Sequence, residues 1–395
     1  ERCLEQHGPQ GLPLLGSGDW NDGLDAPGLQ MHGESTWMAF FLHDVLRAFA
    51  PLAELRQGVA AGERYRNESA RLSAALSTME RAHGWVRATS DAGEALNYDD
   101  ALTASWALLS DSVELRAGIE ALEHSCSVLE RETRVLLLSP PFDEHSRPYP
   151  GRIAEYPPGV RENGGQYSHG ASWLIDAWLR CAEHAEEQRE AELAQRCRAR
   201  AQALWIKISP LSKCSADELP RYGLPPHQQA ADVFEGPGYA GRGGWPWYTG
   251  AAARMLSAAY GLMGLQMKNG QPSRQAQASV AAEVAFHGHA VKPVAAVPKS
   301  KGSRSVGAMC SGSRLMMPVA TAAVTVAATV LVVRSSQAMG VAAADPSKEI
   351  PHSTTFPKRT ARPSFTWSIV LIAVPVVTFT NAAVVGSRSR SFPSS

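Results

Sequence analysis

No Cys-x-x-Cys pair and no Cys/His ligand spacing occurs among the six cysteines, Cys3, Cys126, Cys181, Cys197, Cys214 and Cys310. This usage speaks against a metal site built on thiols. It reads as reduced structural thiols in a cytosol-like, cytoplasmic compartment. Strand-type alternation strong enough for a large sheet is also missing, as is any helical repeat of fixed length. Acidic residues are scarce in one region only. Residues 271–395 hold three of them (Glu283, Asp345 and Glu349) against 13 Lys and Arg, a net of +10. Residues 1–270 hold 35 acidic against 25 basic residues, a net of −10, so the balance of 38 against 38 hides two opposite segments. A uniformly basic nucleic-acid binder is excluded, and so is an acidic disordered chain.

What is present is concentrated in the first segment. Nine of the ten tryptophans lie there, with Trp367 the exception. At 44% hydrophobic residues overall, a segment of this length can bury the core of one large domain or two ordinary ones. The sequence begins at Glu1 without Met and without a signal peptide, and reaches a motif-dense loop within fifteen residues. It is therefore expected to enter a domain partway through. Helical periodicity dominates residues 34–270: Trp37, Phe40, Phe41 and Val45 recur at three- and four-residue steps, as do Leu72, Ala75, Leu76 and Met79. Similar stretches are expected over 100–111, 116–137, 170–187, 189–208 and 250–264. Loops rich in Gly, Pro and aromatics separate them, at 11–33, 84–98, 139–168 and 220–249. Stacked helical hairpins with function on the loops at one end are the expected arrangement.

The second segment carries no recognisable chemistry. Residues 271–316 are low in complexity and are expected to be disordered. Two apolar runs follow, at 315–333 and 367–385. Each is long enough to just span a bilayer, yet each is rich in Ala, Val and Thr and contains a Pro. A membrane hairpin, a poorly ordered soluble tail, and sequence from a wrong reading frame all stay open.

Three loops could carry chemistry. In Gly16-Ser17-Gly18-Asp19-Trp20-Asn21-Asp22-Gly23, a Trp sits between two carboxylates three residues apart. An aromatic plate beside a carboxylic acid suits sugar chemistry, because the ring stacks on a pyranose while the acid protonates a glycosidic oxygen. An Asx-rich turn capping the next helix explains the same residues. The stretch from Tyr156 to His169 packs Arg161, Glu162, Asn163, Gln166 and His169 just before a helix. That mixture of donors and acceptors suits a polyhydroxylated ligand, whereas a lone His is more often a surface or core residue. In Gly241–Gly250, Thr249 is a natural N-cap. Thr249 and Gly250 would offer a hydroxyl and free N–H groups to an anion such as phosphate at a positive helix end. From the pattern alone, a well-capped helix entered through an aromatic loop is the favoured explanation of these residues, and no Gly-Lys-Ser/Thr makes this a P-loop.

GLPLLGSGDWNDGLD (11–25), GESTWMAFFL (33–42), SPPFD (139–143), YPPGVRENGGQYSHGASW (156–173) and GRGGWPWYTG (241–250) occur in that order. Together they closely resemble the catalytic domain of glycoside hydrolase family 94. The likeness is greatest to the C-terminal region of cyclic β-1,2-glucan synthases, to 1,2-β-oligoglucan phosphorylases, and to cellobiose phosphorylase-like members. It covers about residues 10–265, roughly the C-terminal half of the family's catalytic domain. It implies an all-α fold, a partial (α/α)6 barrel over 1–268, followed by a basic tail over 269–395.

The resemblance also implies inverting phosphorolysis of a β-glucoside to α-glucose 1-phosphate. Inorganic phosphate is then a co-substrate, and no other cofactor or metal is needed. Asp22 falls on the general acid, which should be buried so that it can hold its proton. Trp20 and Asp19 fall at the donor sugar. Tyr156, Arg161 and Glu162 fall on the acceptor side. His169, Thr249 and Gly250 fall on the phosphate. The expected partners are a β-glucan oligosaccharide and phosphate. A homodimer and a membrane contact through the tail are compatible with this reading, and nucleic acid is not.

Several departures weigh toward an alternative, a non-catalytic carbohydrate-binding remnant or a truncated fragment of a cyclic β-glucan synthase. The family's donor-gripping Arg and Asp lie upstream of the first loop, outside this sequence. The segment His83–Trp106 is shorter than its counterpart, with Ala104 where Gln is usual. PPHQQAADVF (225–234) replaces the usual EPYVVAADVY.

Overall fold

The computed structural model describes the backbone of residues 2–225, 228–246 and 249–268, and of isolated strand segments beyond them. Nine helices are described: α1 (Arg2–Glu5), α2 (Thr36–Gln57), α3 (Val59–Leu76), α4 (Ala101–Leu109), α5 (Leu115–Leu129), α6 (Ser168–Glu187), α7 (Ala191–Ile208), α8 (Glu218–Tyr222) and α9 (Thr249–Leu262). Strands are few and short, so the described fold is mainly helical.

Local chemistry sets the helix ends. Ser35 Oγ accepts from Met38 N at the start of α2, and Asp100 and Glu114 cap α4 and α5 by accepting from Thr103 N and Ala117 N. At the end of α2, Gly58 adopts φ 93°, where a side chain would be strained, and the chain turns directly into α3. α2 and α3 form one packed hairpin, and α6 and α7 form another.

Two apolar clusters hold these pairs. Leu102, Leu108, Leu122, Leu174, Trp178, Leu204 and Met255 join α4, α5, α6, α7 and α9. Phe40, Leu46, Leu72, Leu76, Met79 and Trp85 lie between α2, α3 and the hairpin after them. A third, smaller cluster (Leu15, Leu24, Tyr98, Leu138, Phe142, Ile153) lies beneath the loops. Burial of this size is the main force holding the helices together.

Two expectations are corrected. The helix expected over 116–137 stops at Leu129, and Val135–Leu138 is extended and buried. Leu137 N donates to Gly165 O, its carbonyl accepts from Ala101 N, and Leu138–Ser139 pairs antiparallel with Asp99–Asp100. A short apolar run fits a buried strand as well as a helix, and here the partners decide. On α2, Trp37 and Phe40 are buried, whereas Phe41 and Val45 lie on an exposed apolar flank with Phe49, Leu52 and Leu55.

Chain contacts define two compact units, Glu1–Val297 and Pro298–Ser395, so the first runs past the compositional change near 270. A hairpin pairing Leu265–Lys268 with Gln271–Arg274 straddles that change. In the second unit, Ala328–Val333 pairs antiparallel with Ile369–Pro375, joining parts of the two apolar runs. The rest of those runs, and most of 271–316, lie outside the described residues. No helix among the described residues is long and apolar enough to cross a membrane.

Candidate functional site

The loop holding Asp19 and Asp22 is folded by its own side chains first. Asp19 Oδ1 accepts from Asn21 N at 3.0 Å, and Asn21 Oδ1 accepts from Gly23 N at 3.2 Å, two successive Asx turns. Gly18 supplies the required φ of 117°. The turn reading is therefore right for these two residues, although Ser35, not this loop, caps the next helix.

Asp19 is then fixed from outside. Arg87 donates to it in a two-pronged pair at 2.7 Å, and Ser35 Oγ donates to Asp19 Oδ2 at 2.6 Å. The Arg87 and Asp19 side chains are 1% and 0% exposed. Arg87 also reaches Asp100 at 3.2 Å, tying the loop to the start of α4. Burial alone would raise the Asp19 carboxyl, but Arg87 and Ser35 hold it below the usual carboxylate range. The Asp19 carboxylate is thus enclosed by protein partners and holds the loop. Arg87 is the residue that sequence reasoning missed. It sits in a segment of lowered resemblance, 68 positions from its partner.

Asp22 is turned outward, at 86% side-chain exposure, so the expected burial is absent among the described residues. Arg152 Nη2 donates to its backbone oxygen at 2.7 Å and lies 3.8 Å from its carboxylate, while Arg152 Nε donates to Asp25 Oδ2 at 3.1 Å. Asp22 and Arg152 line an open cleft of about 700 Å³ with Ser17, Asp25, Tyr149 and Glu155.

Trp20 points the other way, into an aromatic cluster. Its ring meets Tyr167 and His169 edge-on, with centroids 5.5 and 5.7 Å away, and Trp173 at 5.5 Å. A Cβ at Gly170 would run into Leu137 Cδ1 and come within 3.3 Å of the Trp20 ring, so glycine lets α6 lie close against both. His169 opens α6, and burial together with the charge of Arg254 holds its imidazole below the usual histidine range.

Gly250 stands at the start of α9, where a Cβ would lie 3.7 Å from His169 Nδ1. α6 and α9 pack side by side, so two positive helix ends meet beside His169. Thr249 is the first residue of α9, not the residue before it; its side chain lies outside the described residues.

A three-stranded sheet, Gln166–Tyr167 with Asp232–Val233 with Gly243–Gly244, joins the second and third loops. Above it Arg161, with φ 52°, lies over the rings of Tyr156 and Trp245 at 5.1 and 4.9 Å. Its Nε is 3.4 Å from Glu162 Oε2, and despite partial burial this carboxylate raises the guanidinium further. Its backbone N–H donates to Asp232 Oδ2 at 3.0 Å, and burial pushes Asp232 up to about 6. Asn163 and Gln166, which enrich the same loop, are structural. Asn163 bonds to Phe142 N, Phe142 O and Tyr156 O, and Gln166 accepts from Val135 N.

The arrangement is a helical domain whose loops gather tryptophans, a histidine, an arginine over aromatic rings and an exposed carboxylate. Comparison with known proteins gives that class a family. The family model of the glycosyl hydrolase 94 superfamily catalytic domain matches residues 1–263, and the chain belongs to this family. It is 33% identical over 283 residues to the cyclic beta-(1,2)-glucan synthase NdvB of Rhizobium meliloti (strain 1021), covering 67% of this chain and 9% of that protein. Two Paenibacillus borealis proteins are each 30% identical over 182 residues. Solabiose phosphorylase covers 43% of this chain and 23% of its own length. 3-O-beta-D-glucopyranosyl-beta-D-glucuronide phosphorylase covers 44% and 23%. The chain thus spans less than a quarter of the length of the curated relatives it matches.

Proposed function

We propose that this chain carries the acid and phosphate loops of an inverting β-glucoside phosphorylase within a partial (α/α)6 barrel. The single observation that carries the reading is the meeting of three distant loops: Trp20 against His169, and His169 against Gly250. Phosphate is the anion suited to two helix N-termini beside a histidine, and Thr249 belongs to the same end. Trp20 borders the donor sugar. Tyr156, Arg161 and Glu162 bind acceptor hydroxyls, with Arg161 already ordered by its two rings.

In the reaction, a phosphate oxygen bonds to the anomeric carbon as the bond to the glycosidic oxygen breaks. Asp22 gives its proton to that departing oxygen, and α-glucose 1-phosphate is released. Phosphate is already an anionic nucleophile, so one carboxylic acid suffices where hydrolysis needs two. The synthase relative favours a β-1,2-glucan as substrate, and the phosphorylase relatives favour phosphorolysis.

Incubation with β-1,2-glucooligosaccharides and phosphate is expected to release glucose 1-phosphate, and Asp22→Asn to lower the rate by at least about a hundredfold. Oligosaccharide affinity should stay near that of the parent. Full activity in Asp22→Asn would overturn the assignment. The 86% exposure of Asp22 favours a second reading, a non-catalytic binding module, because an acid open to water is poorly placed to keep its proton. Oligosaccharide binding without any release of glucose 1-phosphate would select that reading.

A further inference from the structure

α6 and α9 run in the same direction from the candidate phosphate end, and their contacts keep one register. Gly250 faces His169 at the top, Arg254 reaches Asp176 lower down, and Gly261 packs on Leu179 further along. Arg254 lies one turn below Gly250, and Asp176 two turns below His169. Both therefore lie on the faces that carry the site residues, because positions three, four or seven apart share a side of a helix. Arg254 Nη2 pairs directly with Asp176 Oδ2, with side chains only 31% and 20% exposed. A pair this sheltered is weakly screened, and losing one partner leaves the other charge uncompensated. The ends of α6 and α9 must be held close for their N–H groups to act on one anion. Met255 and Ala258 of α9 pack in one apolar cluster with Leu174, Trp178 and Leu179 of α6, which holds the helices together below the level of Arg254. The Arg254–Asp176 ion contact adds a sheltered charged link between the two helices at the level nearest the site.

We infer that Asp176 and Arg254 are positioning residues for phosphate: their pair sets the spacing between His169 and the start of α9, and so the affinity for the anion. This rests on the phosphate reading above, and it assigns a role to two side chains outside the three loops. It does not require either residue to touch the ligand.

The test is calorimetric titration of the 395-residue chain with inorganic phosphate, with circular dichroism reporting folding. Arg254→Met and Asp176→Asn are each expected to weaken phosphate about tenfold, and the double variant no more than either alone, as residues acting through one contact do. Arg254→Lys should recover most of the affinity. Oligosaccharide affinity should change by less than about twofold, which a general loss of structure would not allow. Amide exchange at residues 250–253 should quicken in Arg254→Met. A folded Arg254→Met chain with parental phosphate affinity would overturn the inference. His169→Ala separates the two levels. If it loses phosphate while Arg254→Met and Asp176→Asn do not, the phosphate reading stands and the positioning role falls. If the parent and His169→Ala bind phosphate equally, or not at all, the reading itself fails and the inference with it. If Arg254→Met does not fold, Asp176→Asn and Arg254→Lys, which preserve size, decide the matter.

Discussion

At the scale of single residues, the two carboxylates of one tetrapeptide meet opposite fates. Asp19 is sealed by Arg87 and Ser35, and Asp22 faces an open cleft. Their spacing was legible in the sequence. Which of them would face solvent was not, because that depends on an arginine 68 positions away. A third carboxylate, Asp232, carries a testable pH dependence. Burial pushes it up to about 6 from an ordinary 3.8. Below the lower value both folded and unfolded chains hold the proton, so it costs nothing. As pH rises through this window the unfolded chain ionises first, and stability is lost until the folded value is passed. Asp232→Asn removes this effect while keeping an oxygen for the Arg161 N–H. The variant is expected to be more stable than the parent by ~1–3 kcal/mol at pH 7.5. The gap should shrink as pH falls toward 5, as urea unfolding at both values would show. An unchanged gap would remove Asp232 as its source.

At the scale of elements, helix existence was readable and helix environment was not. The three- and four-residue steps from Trp37 to Val45 predict a helix, and the structure gives it the bounds of α2 with Ser35 as its cap. Periodicity also grouped Phe41 and Val45 with Trp37 and Phe40, although the helix turns the first pair outward. α2 is apolar on more than one side, so the pattern cannot say which side meets α3. Leu46 is 4% exposed and Leu55 81% exposed on the same helix. Leu46→Ala is expected to cost about 2–5 kcal/mol, and Leu55→Ala to stay within about 0.5 kcal/mol of the parent. Denaturant midpoints at constant slope would check both. Similar costs at the two positions would contradict the described burial. The run Val135–Leu138 makes the same point for strands, since it is extended because Ala101, Gly165 and the strand Asp99–Asp100 offer it hydrogen bonds.

At the scale of the whole molecule, the balanced charge comes from two segments of opposite sign. All the candidate site residues lie in the first compact unit, Glu1–Val297. The family match ends at residue 263, inside that same unit. A chain ending at Val297 is therefore expected to keep its helical signal and its melting temperature within about 2 °C of the parent, because the described helices and apolar clusters all lie before residue 298. Phosphate affinity should be unchanged. A weakened phosphate site in the shortened chain would show that the basic residues 298–395 contribute to it.

The sequence by itself determined the mainly helical character, the order of the loops and the family, because periodicity and contiguous motifs are local properties. It also determined where sugar chemistry could lie, since tryptophans, carboxylates and a histidine cluster within a few loops. Only the tertiary structure decided which of those residues serve the scaffold and which stay free. Asp19, Asn163 and Gln166 were drawn into buried hydrogen bonds, because buried polar groups must find partners. Asp22 was left exposed, Arg161 was partly buried over two rings, and His169 was brought beside Gly250 across 81 positions of chain, by packing that no local pattern encodes.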